Sequence, residues 1–271
     1  MNFAFIREVG PGRWLWRTAR RQFHKRVLRS THAMRLPTGN RFLLPPDSFF
    51  ASEVFICGAD VDWGSEALLA RLLDGRGTFL DVGANIGYYS VYFEPLAERV
   101  FAFEPDPRPR ARLLENVAQL PKVEVTPCAV GRVSGTALFT QSTDSEVSHL
   151  AAQGEAGVEV PVVAIDDFAA RHGLSVAAIK TDVEGFDLEA LQGAEGVLRE
   201  QRPVVLSELQ PSAELSAFAV SVGYVVLAYA RDERTRAAQF GAVGDRPGSG
   251  LVYKMLFLVP RERAAEVAAK A

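Results

Sequence analysis

From about residue 65 onward the spacing of hydrophobic positions switches repeatedly between short apolar runs and helical periodicity. Helical spacing over Ser65 and Glu66-Ala-Leu-Leu-Ala-Arg-Leu-Leu73 leads to Gly75 and Gly77, then to a strand at Thr78-Phe79-Leu80. That strand ends on Asp81 and a turn with glycines at 83 and 87, after which the pattern is helical again. Arg99-Val-Phe-Ala-Phe103 reads as a second strand ending on Glu104-Pro105, Pro107 to Gln119 as a helix, and Val123 to Thr126 as a short strand leading into Cys128-Ala129. Thr136 to Gln141 and Val158 to Ile165 alternate in polarity around a polar stretch, which predicts an antiparallel insertion with a mobile loop. Asp166-Asp167 is expected to cap a short helix. Strand, helix and strand then follow at Val176 to Asp182, Phe186 to Glu200 and Pro203 to Glu208. Strands at Tyr224 to Tyr229 and Leu251 to Val259 have no helix between them and are expected to close the sheet antiparallel. The fold class is therefore α/β, a doubly wound and mostly parallel sheet.

The first 64 residues read as an extension, 65–260 as the main domain, and 261–271 as a frayed helix or loose tail. In the extension a basic helix precedes a short hairpin around Thr38-Gly39-Asn40. Trp16, Ala19, Phe23 and Val27 share one helical face, with Arg17, Arg20, Arg21 and Lys25 largely elsewhere. Two readings stand for this helix: packed on its own domain with solvated arginines, or lying through residues 13–29 on an anionic membrane or acidic partner.

The 271 residues suffice for one substantial domain, and 48% hydrophobic with 23% charged is ordinary for a globular protein. Charge is uneven, however: Arg7 to Arg35 holds nine basic residues against the single acid Glu8, within a net charge of −3. Two cysteines, Cys57 and Cys128, cannot build a disulfide framework and lack metal-ligand spacing. With no apolar run near the length of a membrane span and no secretory h-region, the expected location is cytoplasmic, with membrane association left open by the basic helix.

A buried strand that ends in a glycine turn and opens a helix brings backbone close to a nucleotide. Glu104, about 20 positions further on, is placed to accept hydrogen bonds from ribose hydroxyls. Gly83-Ala84-Asn85-Ile86-Gly87 is not the Gly-x-Gly-x-x-Gly of a pyrophosphate binder. Asp81 suits an ammonium group and the turn amides a carboxylate, which points to S-adenosylmethionine.

Three segments resemble the FkbM-type methyltransferases: Asp81-Val-Gly-Ala-Asn-Ile-Gly-Tyr-Tyr-Ser90, Phe103-Glu-Pro-Asp106 and Ile179-Lys-Thr-Asp-Val-Glu-Gly-Phe-Asp187. The resemblance covers roughly Ser65 to Gln210 and implies a class I methyltransferase Rossmann-like fold. It further implies S-adenosylmethionine-dependent methyl transfer, usually to a hydroxyl of a sugar or natural product. Cofactor contacts are expected from Asp81, Gly83, Ala84, Asn85, Gly87, Tyr88, Glu104 and Pro105, with Cys128 and Ala129 lining an adenine pocket.

Asp182, Lys180 and Glu208 are the catalytic candidates, because strand ends in this topology surround the ligand. Methylating an alcohol needs a base, and a carboxylate or a desolvated lysine can serve. The set partly resembles the Lys-Asp-Lys-Glu tetrad of ribose 2′-O-methyltransferases, without a clear second lysine. An ion pair with Asp182 or Glu184 is the competing reading of Lys180. A divalent cation held by Asp166, Asp167, Asp182 and Glu208 is a rival mechanism, but the helix-cap reading of the first two is simpler and no metal is expected. His149 reads as a solvated loop residue, although a base on a lid would also sit there. The Asp182-Val-Glu-Gly185 element lacks the Pro-Pro pair of base N-methyltransferases, so the expected acceptor is a small or carbohydrate-like molecule and no nucleic-acid partner is favoured. From a different class, the competing function is a degenerate nucleotide fold that binds an anionic membrane or nucleic acid through the basic helix.

Overall fold

The computed structural model describes residues 6, 9–140, 149–150, 157–235 and 237–271, with backbone alone at 149–150. Helix α1 (Pro11–Gln22) starts with Pro11 in its first turn, where a missing N–H costs nothing, and runs on as a π-helical turn over Phe23–Leu28. Strands β1 (His32–Arg35) and β2 (Arg41–Leu44) form the expected antiparallel hairpin, and α2 (Phe50–Cys57) and α3 (Ser65–Leu72) follow. Leu36, Phe42 and Leu44 of the hairpin region join the same apolar cluster as Phe79 and Phe93, so this segment helps cover the central sheet. Among the described residues no helix is long and apolar enough to cross a membrane.

The sheet is built from β3 (Thr78–Val82), β4 (Arg99–Phe103), β5 (Val123–Thr126), β10 (Val176–Thr181), β11 (Val204–Ser207), β12 (Tyr224–Asp232), β13 (Ala238–Ala242) and β14 (Leu251–Pro260). Their spatial order is β13-β12-β14-β11-β10-β3-β4-β5. The five strands from β5 to β11 are parallel, and β14 inserts antiparallel between β11 and β12. The chain order reverses between β3 and β10, which makes their carboxyl ends a topological switch point. This is the doubly wound arrangement that the alternation predicts and the class I Rossmann-like fold that the resemblance implies, with the antiparallel closure in place. The extra edge strand β13 is not visible in the hydrophobic pattern.

Apolar runs in β3 and β4 are continuous because both faces of the sheet are covered. Phe79 and Ala102 point into a cluster with Val54, Leu68 and Val91, while Leu80, Val82, Phe101 and Phe103 point into the other with Ile165, Phe168 and Leu191. Helices α4 (Tyr88–Phe93) and α5 (Pro107–Val117) follow the first two sheet strands; Asp106 caps α5 by accepting from the Arg108 N–H at 3.0 Å. The insertion forms a second sheet from β6 (Ala129–Val130), β7 (Gly135–Thr140), β8 (His149–Leu150) and β9 (Val158–Val163), with β7 antiparallel to β9. Residues 141–148 and 151–156 of the expected mobile loop, and the His149 side chain, lie outside what is described.

Four local expectations are corrected. Asp166 lies within α6 (Ile165–His172), and its carboxylate accepts from the Gly196 and Val197 N–H groups at 2.8 Å each, capping a different helix. That contact marks the start of α8 (Glu195–Gln201), so the single helix expected over Phe186 to Glu200 is divided, with α7 (Asp187–Gln192) ahead of it. The C-terminal residues are docked: beyond α9 (Ala213–Ser221), helix α10 (Ala264–Lys270) buries Val267 completely, and Lys270 Nζ donates to Arg71 O at 3.2 Å. On α1 the arginines are not all solvated. Arg21 is fully buried, its guanidinium donating to the Leu44 and Pro45 carbonyls and to Ser52 Oγ, and the apolar stripe faces outward.

Candidate active site

The carboxyl ends of β3, β4, β10 and β11 open onto one cleft of about 280 Å³. Gly83, Ala84, Asn85, Tyr88, Glu104, Pro105, Cys128, Ala129, Lys180, Asp182 and Glu208 all reach its wall. Asp81 and Gly87 stand behind it.

The glycine turn is set by backbone geometry. Gly83 has φ +73°, and a Cβ there would sit 1.9 Å from the Asp182 carbonyl oxygen of the neighbouring strand end. A Cβ on Gly87, at φ +89°, would meet Leu113 Cδ1 at 2.5 Å. Both glycines therefore let the strand, turn and α5 close together, which places Ala84 and Asn85 on the cleft wall, their N–H groups donating to the Phe103 carbonyl and to Glu104.

Glu104 ends β4 with only 7% of its surface exposed. Its Oε2 accepts from the Asn85 N–H and its Oε1 from the Asp106 N–H, both at 2.8 Å. A carboxylate offers about four lone-pair directions, so two remain for hydroxyl donors in the cleft. Burial pushes its carboxyl up to about 7 despite those two bonds. Cys128 is buried in the turn after the neighbouring strand β5, and burial pushes its thiol up to about 12, so it packs as an apolar group rather than as a thiolate.

Lys180 is almost wholly buried between two carboxylates. Its ammonium lies 3.3 Å from Asp182 Oδ2 and 3.6 Å from Asp81 Oδ1, and it donates to the Gly83 carbonyl at 2.9 Å. Burial alone would lower its pKa, but the charges of Asp182 and Asp81 outweigh that and raise it. It is a fixed cation, which removes the neutral-amine base from consideration, and its ion-pair partners are Asp182 and Asp81 rather than Glu184. Asp81 is fully buried; its Oδ2 accepts from Ser90 Oγ at 2.6 Å, and burial raises its carboxyl even beside Lys180. It meets the cleft through Lys180, not directly.

Asp182 and Glu208 bring carboxylate oxygens within 4.8 Å of one another in the cleft, the Glu208 side at its exposed edge. Burial pushes the Asp182 carboxyl up, but the Lys180 ammonium, with the Glu208 carboxyl beside it, holds it below its ordinary range. The Glu208 carboxyl is pushed up, first by lost hydration and then by Asp182. The two carboxyls are thus pushed apart, the Lys180 ammonium favouring the charged form of Asp182 and the Asp182 charge disfavouring that of Glu208. Asp182, Glu184 and Glu208 place carboxylate oxygens within 4.8 Å of one another. Asp166 and Asp167 do not join them: the first caps α8, and the second accepts from Ser134 Oγ at 2.5 Å.

The remaining wall was not legible as a site. Phe50 and Glu53 come from α2, Asp62 from the loop before α3, Tyr89 from α4, Phe139 from β7, and Lys254 and Met255 from β14. Lys254 Nζ donates to Val61 O at 2.6 Å and pairs with Glu53 at 3.1 Å. It is a second lysine in the cleft, which no motif at the strand ends announces. Tyr89 donates to Asp62, and Tyr88 donates to Glu66 at 3.1 Å. Burial pushes Asp62 up to about 6, while burial and then the Asp62 charge push Glu66 up to about 8. Perturbed carboxyls gathered beside a cleft are a mark of functional sites.

Comparison with known proteins gives a family. Several solved methyltransferases are similar to the chain. An FkbM methyltransferase from Methylobacillus flagellatus KT is 19% identical, with 76% of this chain and 52% of that one covered and a TM-score of 0.47. A precorrin-6y C5,15-methyltransferase from Geobacter metallireducens GS-15 is 16% identical over 71% of this chain and 86% of that one, TM-score 0.40. TrmK from M. capricolum, solved with S-adenosyl-homocysteine, is 12% identical over 72% and 67%, TM-score 0.41. The chain thus spans about half the length of the first of these. Curated proteins give no match. A family model described as the methyltransferase FkbM domain matches residues 81–228, from the glycine turn through β11 and into β12. That match spans more than half of the 271 residues, and the chain belongs to the FkbM methyltransferase family.

Proposed function

We propose that the protein transfers a methyl group from S-adenosylmethionine to a hydroxyl oxygen of a sugar, glycoconjugate or natural product. The observation that carries this reading is the convergence, on one cleft, of the Gly83-Ala84-Asn85 turn, the buried Glu104 carboxylate and the Lys180–Asp182–Glu208 cluster.

The residues fit the cofactor on their own chemistry. Glu104 keeps lone pairs free for two ribose hydroxyls, and Phe103, Pro105, Cys128, Ala129 and Val130 give an apolar slot suited to a purine. The turn amides, expected to meet a carboxylate, are engaged inside the protein instead: the Gly83 and Ala84 N–H groups donate to the Phe103 carbonyl and the Asn85 N–H to Glu104. When bound, S-adenosylmethionine supplies an electrophilic methyl group. Asp182 accepts the proton of the acceptor hydroxyl as the new oxygen–methyl bond forms. Lys180 holds Asp182 ionised and ties it to the glycine turn through the Gly83 carbonyl, acting as a positioning cation. Asp81 acts through Lys180 in turn. Glu208 keeps its proton and donates to Asp182, fixing the orientation of that carboxylate. On the other wall Glu53, Asp62 and Lys254 alternate with Phe50 and Tyr89, a mix of rings and hydrogen-bonding groups that suits a polyhydroxylated acceptor.

Calorimetry with S-adenosylmethionine and S-adenosyl-homocysteine tests the cofactor half, and a panel of hydroxyl acceptors followed by S-adenosyl-homocysteine release tests the rest. Binding of both compounds and turnover with a hydroxyl acceptor are expected. Absence of binding by either compound overturns the reading in favour of a degenerate module.

A further inference from the structure

Helix α1 is inside out. Its inward face carries Thr18 and Arg21, both buried, together with Arg17 and Lys25. Arg21 donates to Leu44 O at 2.9 Å, to Pro45 O and to Ser52 Oγ at 3.0 Å; Arg17 donates to Ile56 O at 2.8 Å. The polar groups of this helix hold it to the hairpin and α2. Its apolar stripe is left to solvent: Leu15 is 63% exposed, Trp16 57%, Phe23 50% and Val27 65%, with Leu28 beside them. Five of the eleven exposed large hydrophobics among the described residues lie between positions 15 and 28, so they form a patch and not a scatter.

The segment that carries the patch has charge of one sign, and Asp47 acts on its inward residues Arg21 and Lys25. Arg13, Arg20, Arg26 and Arg29 are exposed along it, and the sequence holds no acidic residue between Glu8 and Asp47. Arg20 stacks its guanidinium 5.3 Å from the Trp16 ring, which holds a cation next to the aromatic. Aromatic and aliphatic side chains flanked by arginine, on a helix in the plane of a surface, are what the boundary of an anionic bilayer takes up. A nucleic acid would satisfy the arginines but leave Leu15, Val27 and Leu28 in water.

We propose that the outward face of residues 13–29 docks the protein peripherally on an anionic lipid bilayer. Helix α2, which α1 grips through Ile56 and Ser52, supplies Phe50 and Glu53 to the cleft, so docking sets the acceptor wall one helix away from the lipid surface. The inference does not depend on the methyl-transfer reading.

Vesicle co-sedimentation of the full chain tests it, with phosphatidylcholine alone and with added phosphatidylglycerol. Binding to the anionic vesicles only, weakened by salt, is expected. Trp16→Ser with Phe23→Ser, at exposed positions, should lower the partition coefficient more than about tenfold, given the apolar area withdrawn. Arg13→Glu with Arg26→Glu should do so without touching the stripe. Unchanged thermal midpoints in both variants show that the fold is intact. No binding to anionic vesicles overturns the proposal, as does wild-type binding by the Trp16 and Phe23 variant. A concentration-dependent dimer abolished by those serines without vesicle binding assigns the face to a second copy. RNA binding without vesicle binding assigns it to nucleic acid, and either result overturns the proposal.

Discussion

Lys180→Met offers the sharpest check on the electrostatics of the site. The Lys180 side chain is buried between Asp81, which is fully buried, and Asp182, which reaches the cleft. Removing the ammonium leaves Asp81 without a counter-charge, and breaking such a pair from one side costs about 3–5 kcal/mol. Protonation of Asp81 caps the penalty. An unfolded aspartate titrates near 3.8, so at pH 7 the electrostatic part cannot exceed about 1.36 kcal/mol per pH unit over the interval from 3.8 to 7, or about 4 kcal/mol. At about pH 5 the same arithmetic leaves roughly 2 kcal/mol. The sign follows from a carboxyl whose folded pKa is raised: its cost is absent below 3.8, grows as pH rises towards the folded pKa, and is constant above it. Loss of the bond to the Gly83 carbonyl adds about 1 kcal/mol that does not vary with pH. Urea unfolding of the single variants and of Lys180→Met with Asp81→Asn, at about pH 5 and about pH 8, separates these parts. Lys180→Met should be clearly less destabilised at the lower pH, and adding Asp81→Asn should restore stability and flatten the pH dependence. Equal destabilisation at both pH values, or no rescue by Asp81→Asn, refutes the ion-pair account.

Asp182→Asn should lower turnover by about 10²–10⁴-fold, the range for losing a positioned base, while calorimetry finds S-adenosyl-homocysteine affinity retained. Parallel loss of both counts against the assigned role. Affinity for S-adenosyl-homocysteine should tighten as pH rises through about 7, where Glu104 ionises and frees both oxygens to accept; Glu104→Gln should bind about tenfold or more weakly and lose that pH dependence. Gly83→Ala, which needs φ +73° and a Cβ 1.9 Å from the Asp182 carbonyl oxygen, should cost more than about 2 kcal/mol in thermal or urea unfolding and weaken cofactor binding together. Turnover should persist in excess chelator, because Lys180 already offsets the charge of Asp182; loss of activity restored by a divalent cation would assign the Asp182, Glu184 and Glu208 cluster to a metal instead.

The sheet and its strand-end residues were legible because local chemistry and global topology agree there. Phe79 and Leu80 alternate between two covered faces, Gly83 and Gly87 mark a turn that only glycine closes, and Glu104 and Asp182 fall at strand tips. Glu53, Asp62 and Lys254 were not legible, since no spacing in one segment says that α2, the loop before α3 and β14 meet over the cleft. The N-terminal helix failed for a different reason. Hydrophobic periodicity identifies an apolar face but not the surface against which it packs, and the rule that arginines point outward assumes water is their best partner. Here the carbonyls of Leu44, Pro45 and Ile56 accept from Arg21 and Arg17, so the helix is held by charge-assisted hydrogen bonds that an apolar face would not make. The outward stripe is thus the consequence of a polar anchor. The proposed bilayer covers Trp16 and Phe23, which stand exposed beside Arg20, and the run of basic residues without an acid between Glu8 and Asp47 matches an anionic surface.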